Sequence, residues 1–267
     1  MTIAPWALSA VLAVTCLYLL YSRHRAAVES AAVPWPLSSV FESGHRTQII
    51  VADINYGMLQ FISQKLGSLE EYMLPNYQQP HRAANPTARE KRALEFLDNT
   101  LHTSYADVVV VSKLLSVMGG NHDQVVVRSA RDLSVREIGE GNFVLVGSPA
   151  SNPWVSLFES KLNFLESHAP GSVTTKAFLN KRPRGREKTH YAGLARSGEG
   201  GEDFATIAIV PNGQRGKVFI MQGLHQEGTE AVGRFLEELE NRQKLAEALG
   251  ARNGAPPPTF FEALYYA

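Results

Sequence analysis

Two stretches of this chain bring together residue types suited to holding a ligand. In the first, Gly141-Asn142-Phe143-Val144-Leu145-Val146-Gly147-Ser148-Pro149-Ala150-Ser151-Asn152-Pro153-Trp154, four apolar residues run into a turn rich in helix-capping types. In the second, Val218-Phe219-Ile220-Met221 leads in the same way into Gln222-Gly223-Leu224-His225-Gln226-Glu227-Gly228-Thr229. Both read as strand, loop and helix start, with Ser151 or Asn152 before Pro153 as the cap of the first helix. N–H groups at a helix start lack partners within the helix and carry the positive end of its dipole, so such loops suit anionic or polar ligands. Gly147 and Gly223 permit close approach of backbone, while Ser148, Ser151, Asn152, His225 and Thr229 supply hydrogen bonds. Trp154 offers a ring for stacking, although large aromatics more often supply buried area in a core or under a lid. Asp53, at the end of Gln48-Ile49-Ile50-Val51-Ala52, either faces the same crevice or caps the next helix. Helix capping alone also accounts for the Ser, Asn, Gly and Thr residues of both loops.

Hydrolysis needs a nucleophile beside an oriented base, and Ser148 or Ser151 with His225 and Asp53 has the right residue types. Neither serine lies in a Gly-x-Ser-x-Gly elbow, so no catalytic residue is assigned. Gly120-Asn121-His122-Asp123 resembles the Gly-Asn-His-acid element of metal-dependent phosphoesterases. The Asp-x-His, Gly-Asp-x-x-Asp and Gly-His-x-His elements of that family are missing from the chain, and a turn explains the residues better. The other histidines show no i, i+4 zinc-peptidase pairing, and one cysteine makes neither a structural zinc site nor an intrachain disulfide. No metal and no cofactor is expected.

The elements that must hold these loops are strands alternating with helices. Residues 48–53 form a first strand, followed by a helix with Met58, Leu59, Phe61, Ile62 and Leu66 at helical spacing. Residues 67–87 contain Pro75, Pro80 and Pro86 and read as an irregular surface excursion, a candidate lid. A helix over 89–101 and a second one capped by Ser104 come next, then a strand at 124–128, a short helix at 134–138 and the strand at 143–146. Trp154, Leu157, Phe158, Leu162 and Phe164 mark the apolar side of a helix and its exit. The polar, basic stretch 172–201 has weak strand patterning near 174–179, and its Lys181-Arg182-Pro183-Arg184-Gly185-Arg186-Glu187-Lys188 run suits a solvated loop or anionic lipid headgroups. Strands at 205–210 and 217–221, separated by Pro211-Asn212-Gly213-Gln214, form a hairpin. A long helix over about 230–249 and an edge strand at 260–266 close the chain. The pattern predicts an α/β fold, a mixed but mostly parallel sheet with helices on both faces, Rossmann-like and doubly wound.

The 267 residues, 44% hydrophobic, suffice for one good core, and 26 basic residues balance 26 acidic ones. No global field draws this chain to nucleic acid, and no nucleic-acid partner is expected. From Met1 to Ser22 there is no charged side chain. Trp6, Tyr18 and Tyr21 bracket the apolar run and Arg23-His24-Arg25 ends it, so residues 1–22 are expected to be a single-pass anchor, in contact with the bilayer through 5–22. A cleaved signal peptide is the rival, but the run has no basic start. Residues 23–45, with Pro34-Trp35-Pro36, read as an extended tether, and 46–267 as the α/β domain. The arginines after the run place the domain in the cytoplasm by the positive-inside tendency.

Three segments together resemble an uncharacterised bacterial membrane-anchored α/β domain: Ala130-Arg131-Asp132-Leu133-Ser134, the Val-Leu-Val-Gly, Asn-Pro-Trp and Leu-Asn-Phe pattern from 144 to 164, and Gly223 with Gly228-Thr229-Glu230-Ala231 and Phe235-Leu236. The resemblance covers roughly residues 46–250. In such relatives the domain follows a transmembrane helix, sometimes behind a winged-helix DNA-binding region, and it lies outside the cytoplasm, opposite to the arginine argument. The resemblance implies a sensory or regulatory module and carries no catalytic residues. No DNA-binding region is expected before the anchor, a departure from those relatives, and direct transcriptional control is not carried over. The expectation is a membrane-tethered sensory or ligand-binding domain for a small polar or anionic ligand or a partner protein, with a scaffold subunit of a membrane complex, or a hydrolase, as alternatives.

Overall fold

The computed structural model describes residues 14–19, 33–41, 46–83, 85–118, 125–193, 201–251 and 255–267. Its centre is a six-stranded sheet in the order β2-β1-β3-β8-β7-β9, built from β1 (Thr47–Val51), β2 (Val125–Ser129), β3 (Asn142–Val146), β7 (Phe204–Asn212), β8 (Gly216–Gly223) and β9 (Phe261–Tyr266). β2, β1, β3 and β8 run parallel. The β7–β8 hairpin and the edge strand β9 add the antiparallel part. This is the expected mixed, mostly parallel α/β sheet. β3 is buried at every residue, as a central strand covered on both faces must be, and each of Phe143, Val144, Leu145 and Val146 contributes about 1.5–3 kcal/mol by leaving water.

Helices cover both faces. On one side α2 (Ile54–Ser63) and α4 (Ala88–Asn99), with α3 (Leu69–Tyr72) and the short α6 (Val135–Ile138), pack Tyr56, Leu59, Leu94, Leu97 and Ile138 against Ile50, Phe143 and Leu145. On the other, α5 (Tyr105–Val117) and α7 (Gln226–Glu237) pack Val110, Leu114, Val232 and Leu236 against Ile49, Val144 and Phe219. α5 and α7 approach closely because Gly233 has no side chain: a Cβ there would lie 3.0 Å from the Val110 Cα. The single long helix expected over 230–249 is instead α7 and α8 (Leu239–Ala248), separated at Glu238, whose backbone is extended. Ser104 caps α5 as expected, accepting from the Asp107 N–H at 3.0 Å.

Three other expectations change. The segment Pro153–Lys161 is a 3-10 helix, and Phe164 is not its exit but the first residue of β4 (Phe164–His168). β4 pairs with β5 (Lys176–Asn180), and β5 with β6 (His190–Ala192), in a separate antiparallel sheet that the polar stretch helps to build, while Lys181 to Lys188 between β5 and β6 form the exposed loop expected of them. The excursion at 67–87 is not a loose lid: Tyr72, Tyr77 and His81 are buried around Tyr56, and the Arg131 guanidinium sits 4.0 Å from the Tyr77 ring centroid. Apolar area and ring contacts outweigh what its prolines and amides suggest.

Residues 33–41, expected as part of the tether, pack into the domain, and the rest of the expected tether lies outside the described residues. Within α1 (Ser38–Phe41) and the residues before it, Val33, Leu37, Val40 and Phe41 are buried in the core, and Trp35 packs on Phe261 at 5.3 Å. Most of the expected anchor lies outside the described residues. Residues 14–19 are helical, and among the described residues no helix is long and apolar enough to cross a membrane.

Candidate functional site

The chain goes from β1 to β2 on one side and later places β3 on the other, so the strand order reverses between β1 and β3. Open α/β sheets leave a crevice at the carboxyl ends of the strands where that happens. Here a cavity of about 550 Å³ lies at that place. Its wall includes Gly147, Ser148 and Ser151 after β3, and Gly223, His225 and Thr229 after β8. The two junctions, some eighty positions apart in the chain, meet because β3 and β8 are neighbours: Val146 pairs with Met221, and the Gly147 N–H donates to the Met221 carbonyl at 2.9 Å.

The amides at these junctions are less free than the sequence suggests. The Gly223 N–H donates to the Thr229 hydroxyl at 3.1 Å. At the start of α7, Asp203 accepts from the N–H groups of His225 at 3.1 Å and Gly228 at 2.7 Å. At the start of α5, Asp107 accepts from the Ala52 N–H at 2.7 Å and from the hydroxyls of Thr103 and Ser104. Burial raises the Asp107 pKa against the hydrogen bonds from Ser104, Ala52 and Thr103. At α7 the Asp203 carboxylate thus occupies the position that a bound anion takes at other helix starts, whereas at α5 the Ser104 hydroxyl is the acceptor.

Asp53, Asn152 and Trp154 are interior residues and do not line the cavity. Asp53 is the cap of α2; its carboxylate accepts from the Tyr56 N–H at 3.2 Å and the Tyr72 hydroxyl at 3.0 Å. Burial raises its pKa, opposed by those two bonds and by Arg131. The Asn152 amide donates to the carbonyls of Ile50 at 3.1 Å and Val146 at 2.9 Å, joining the ends of β1 and β3. The Trp154 indole N–H donates to the Ala130 carbonyl at 2.8 Å, in the core. Each looked ligand-directed in sequence because polar and aromatic residues at strand ends serve either purpose. The interior won because buried backbone carbonyls and helix N–H groups need partners.

One side chain absent from the sequence-based set, Lys176, joins Ser148 at the polar end of the cavity, with Glu166 and His168 behind it. Lys176, on β5, lies on its wall, and its ammonium is 3.2 Å from a carboxylate oxygen of Glu166 on β4. The other Glu166 oxygen is 3.1 Å from the His168 Nε2, and Ser148 also hydrogen-bonds to this carboxylate. Burial of Glu166 opposes its ionisation, but the Lys176 charge and the bonds from His168 and Ser148 outweigh that and hold its pKa below the ordinary range. Antiparallel pairing places His168 opposite Lys176, two residues from Glu166. An alternation of Glu166, His168 and Lys176 along two short strands was the available signal, hidden because 164 read as a helix exit.

His225, named from the sequence, is a second ionisable group on the wall. Its Nδ1 is 3.1 Å from Asp203, a carboxylate that already accepts the N–H groups of Phe204, His225 and Gly228. That arrangement puts the ring proton on Nδ1 and leaves Nε2 as an acceptor. The acid beside His225 is therefore Asp203 and not Asp53, whose carboxylate is turned to Tyr56 and Tyr72. Among the described residues no group of three or more His, Cys, Asp or Glu side chains could hold a metal ion, and Gly120 to Asp123 lie outside them. Comparison with known protein families, with curated proteins and with solved structures gave no match.

Proposed function

We propose that this protein is a receptor whose crevice holds a small polar ligand by side chains, with Lys176, Ser148, Ser151, Thr229 and His225 as its polar contacts. One observation carries the reading: two loops from adjacent parallel strands and a lysine from a second sheet converge on one cavity. Its volume of about 550 Å³ falls in the usual range for small-molecule sites, about 300–1,000 Å³. Hydroxyls, an imidazole and an ammonium favour a ligand rich in acceptors, anionic at one end. The apolar run before residue 23 and the resemblance to a membrane-anchored sensory domain support a tethered, sensory role for the same crevice. A melting screen of polar metabolites tests this: a genuine ligand raises the melting temperature with the logarithm of its concentration above the dissociation constant, and Lys176→Gln removes the shift. A set of acceptor-rich metabolites that leaves the melting curve unmoved refutes the reading.

A second reading, hydrolysis, draws on the Asp203–His225 pair, which has the arrangement of an oriented general base. His225→Ala would then abolish ester turnover without lowering the melting temperature. Equal turnover by the variant would exclude it.

A further inference from the structure

The strongest unexplained feature beside the crevice is the composition of α2. Its sequence, Ile54-Asn55-Tyr56-Gly57-Met58-Leu59-Gln60-Phe61-Ile62-Ser63, contains no charged residue, although the helix lies on the surface. One side is buried through Tyr56 and Leu59. The opposite side leaves Met58 39%, Phe61 57% and Ile62 48% exposed, and Leu66 just beyond the helix is 43% exposed. A surface helix of an α/β domain ordinarily turns charges to water, and exposed apolar residues that cluster mark a contact. Phe61 and Leu66 also line the cavity, with Ile54, Val173 and Leu224.

The cavity therefore has two unlike ends. At one, Lys176 is the lysine or arginine on its wall among the described residues. Its ammonium has three N–H groups, and Glu166 takes one contact, so donors remain for an occupant. Of the acids nearby, Asp107 already accepts three hydrogen bonds and Glu227 is exposed at the outer turn of α7. At the other end, the apolar wall continues outward onto the uncharged face of α2. Gly57 keeps the passage between them open: a Cβ there would have no neighbour nearer than the Ala150 carbonyl oxygen at 3.9 Å.

The geometry points to a single-chain anionic amphiphile as the ligand, its carboxylate or phosphate at Lys176 and its hydrocarbon chain along Phe61, Leu66, Val173 and Leu224 toward α2. This rests on the receptor reading and narrows it. The two ends act together: apolar burial supplies a free energy proportional to chain length, and the ammonium selects an anionic head over a neutral one.

The test is calorimetric titration of the full chain in lipid nanodiscs, with empty discs subtracted, using decanoate, decan-1-ol and acetate as probes. Decanoate is expected to bind, decan-1-ol at least tenfold more weakly, and acetate below detection. Gly57→Leu, which fills the passage from a helical position with open space around it, should abolish decanoate binding while the melting temperature stays at or above wild type. Lys176→Gln should bring decanoate down to the affinity of decan-1-ol, with Lys176→Arg restoring much of the difference. Decanoate binding that survives both Gly57→Leu and Lys176→Gln, or no decanoate binding at all, overturns the amphiphile. Acetate binding as tightly as decanoate also overturns it, and loss of that acetate binding in Lys176→Gln would leave the receptor reading standing. A polar ligand found by the melting screen and retained in Gly57→Leu, with no decanoate binding, overturns the amphiphile and leaves the receptor reading standing.

Discussion

Gly57 and Gly223 both border the cavity, and the geometry assigns them opposite tolerances to a methyl group. Gly57 sits in the first half of α2, where glycine costs about 0.5–1 kcal/mol relative to alanine because it leaves the unfolded backbone freer. The added Cβ would meet the Ala150 carbonyl oxygen at 3.9 Å and the Ser151 Cβ at 4.0 Å, ordinary contact distances. Gly57→Ala is therefore expected to stabilise by about 0.5–1 kcal/mol, which for a domain of this size raises the melting temperature by roughly 1–4 °C. At Gly223 the Cβ would fall 2.2 Å from the Thr229 amide nitrogen and 2.6 Å from both the Gly228 carbonyl carbon and the His225 carbonyl oxygen. These are backbone atoms and cannot swing aside. Relief requires moving the first turn of α7, with loss of the Gly223 N–H bond to Thr229. Overpacking and the broken bond together cost about 2–4 kcal/mol, so Gly223→Ala should lower the melting temperature by several degrees. Urea denaturation of the two variants beside wild type measures both values. Gly57→Ala less stable than wild type, or Gly223→Ala as stable, would refute the placement of α2 and α7 against the two junctions.

Replacing Asn152 by Leu leaves the Ile50 and Val146 carbonyls without their donor, and an urea midpoint corresponding to a loss on the order of 3 kcal/mol is expected. Asp203→Ala removes the acceptor of the His225 and Gly228 N–H groups; a loss of about 1–2 kcal/mol is expected, with amide exchange quickening first in the opening turn of α7. The depressed pKa of Glu166 gives stability that is fully present above its ordinary value of 4.5 and is lost as the pH falls through its lower folded value. Glu166→Gln should be less stable than wild type at neutral pH, with the gap closing on acidification; a gap that stays constant from pH 7 to below that window refutes the assignment. Asp53 and Asp107, whose pKa values are raised, act in the opposite sense and are common to both proteins, so they cancel in the comparison.

Local pattern was enough for the sheet and most of its helices. Alternation of apolar runs with helical spacing, Ser104 at a helix start and the Pro-Asn-Gly-Gln run near a hairpin turn are signals within a few residues of each other, and the observed elements follow them, with Pro211 and Asn212 still in β7 and the turn at 213–215. The meeting of the Gly147 and Gly223 loops was also legible, because parallel strands in one sheet bring their carboxyl ends to one edge. Residue roles were not legible in the same way. Asp53, Asn152 and Trp154 have the chemistry of ligand contacts, yet whether a polar group faces a cavity or a buried carbonyl depends on what packs over it. Tyr72 is nineteen positions from Asp53, and Ile50 is 102 positions from Asn152.

The sequence by itself determined the alternation of elements, the buried central strand and the glycine-bearing turns that end β3 and β8, since these depend on propensity and periodicity over short windows. Tertiary structure alone decided that Asp203 rather than Asp53 stands beside His225, that Lys176 reaches the cavity from a second sheet with Glu166 paired to it, and that an uncharged helix forms its apolar wall. Ion pairs and cavity walls are made by residues distant in the chain, and their partners are fixed only when the layers close.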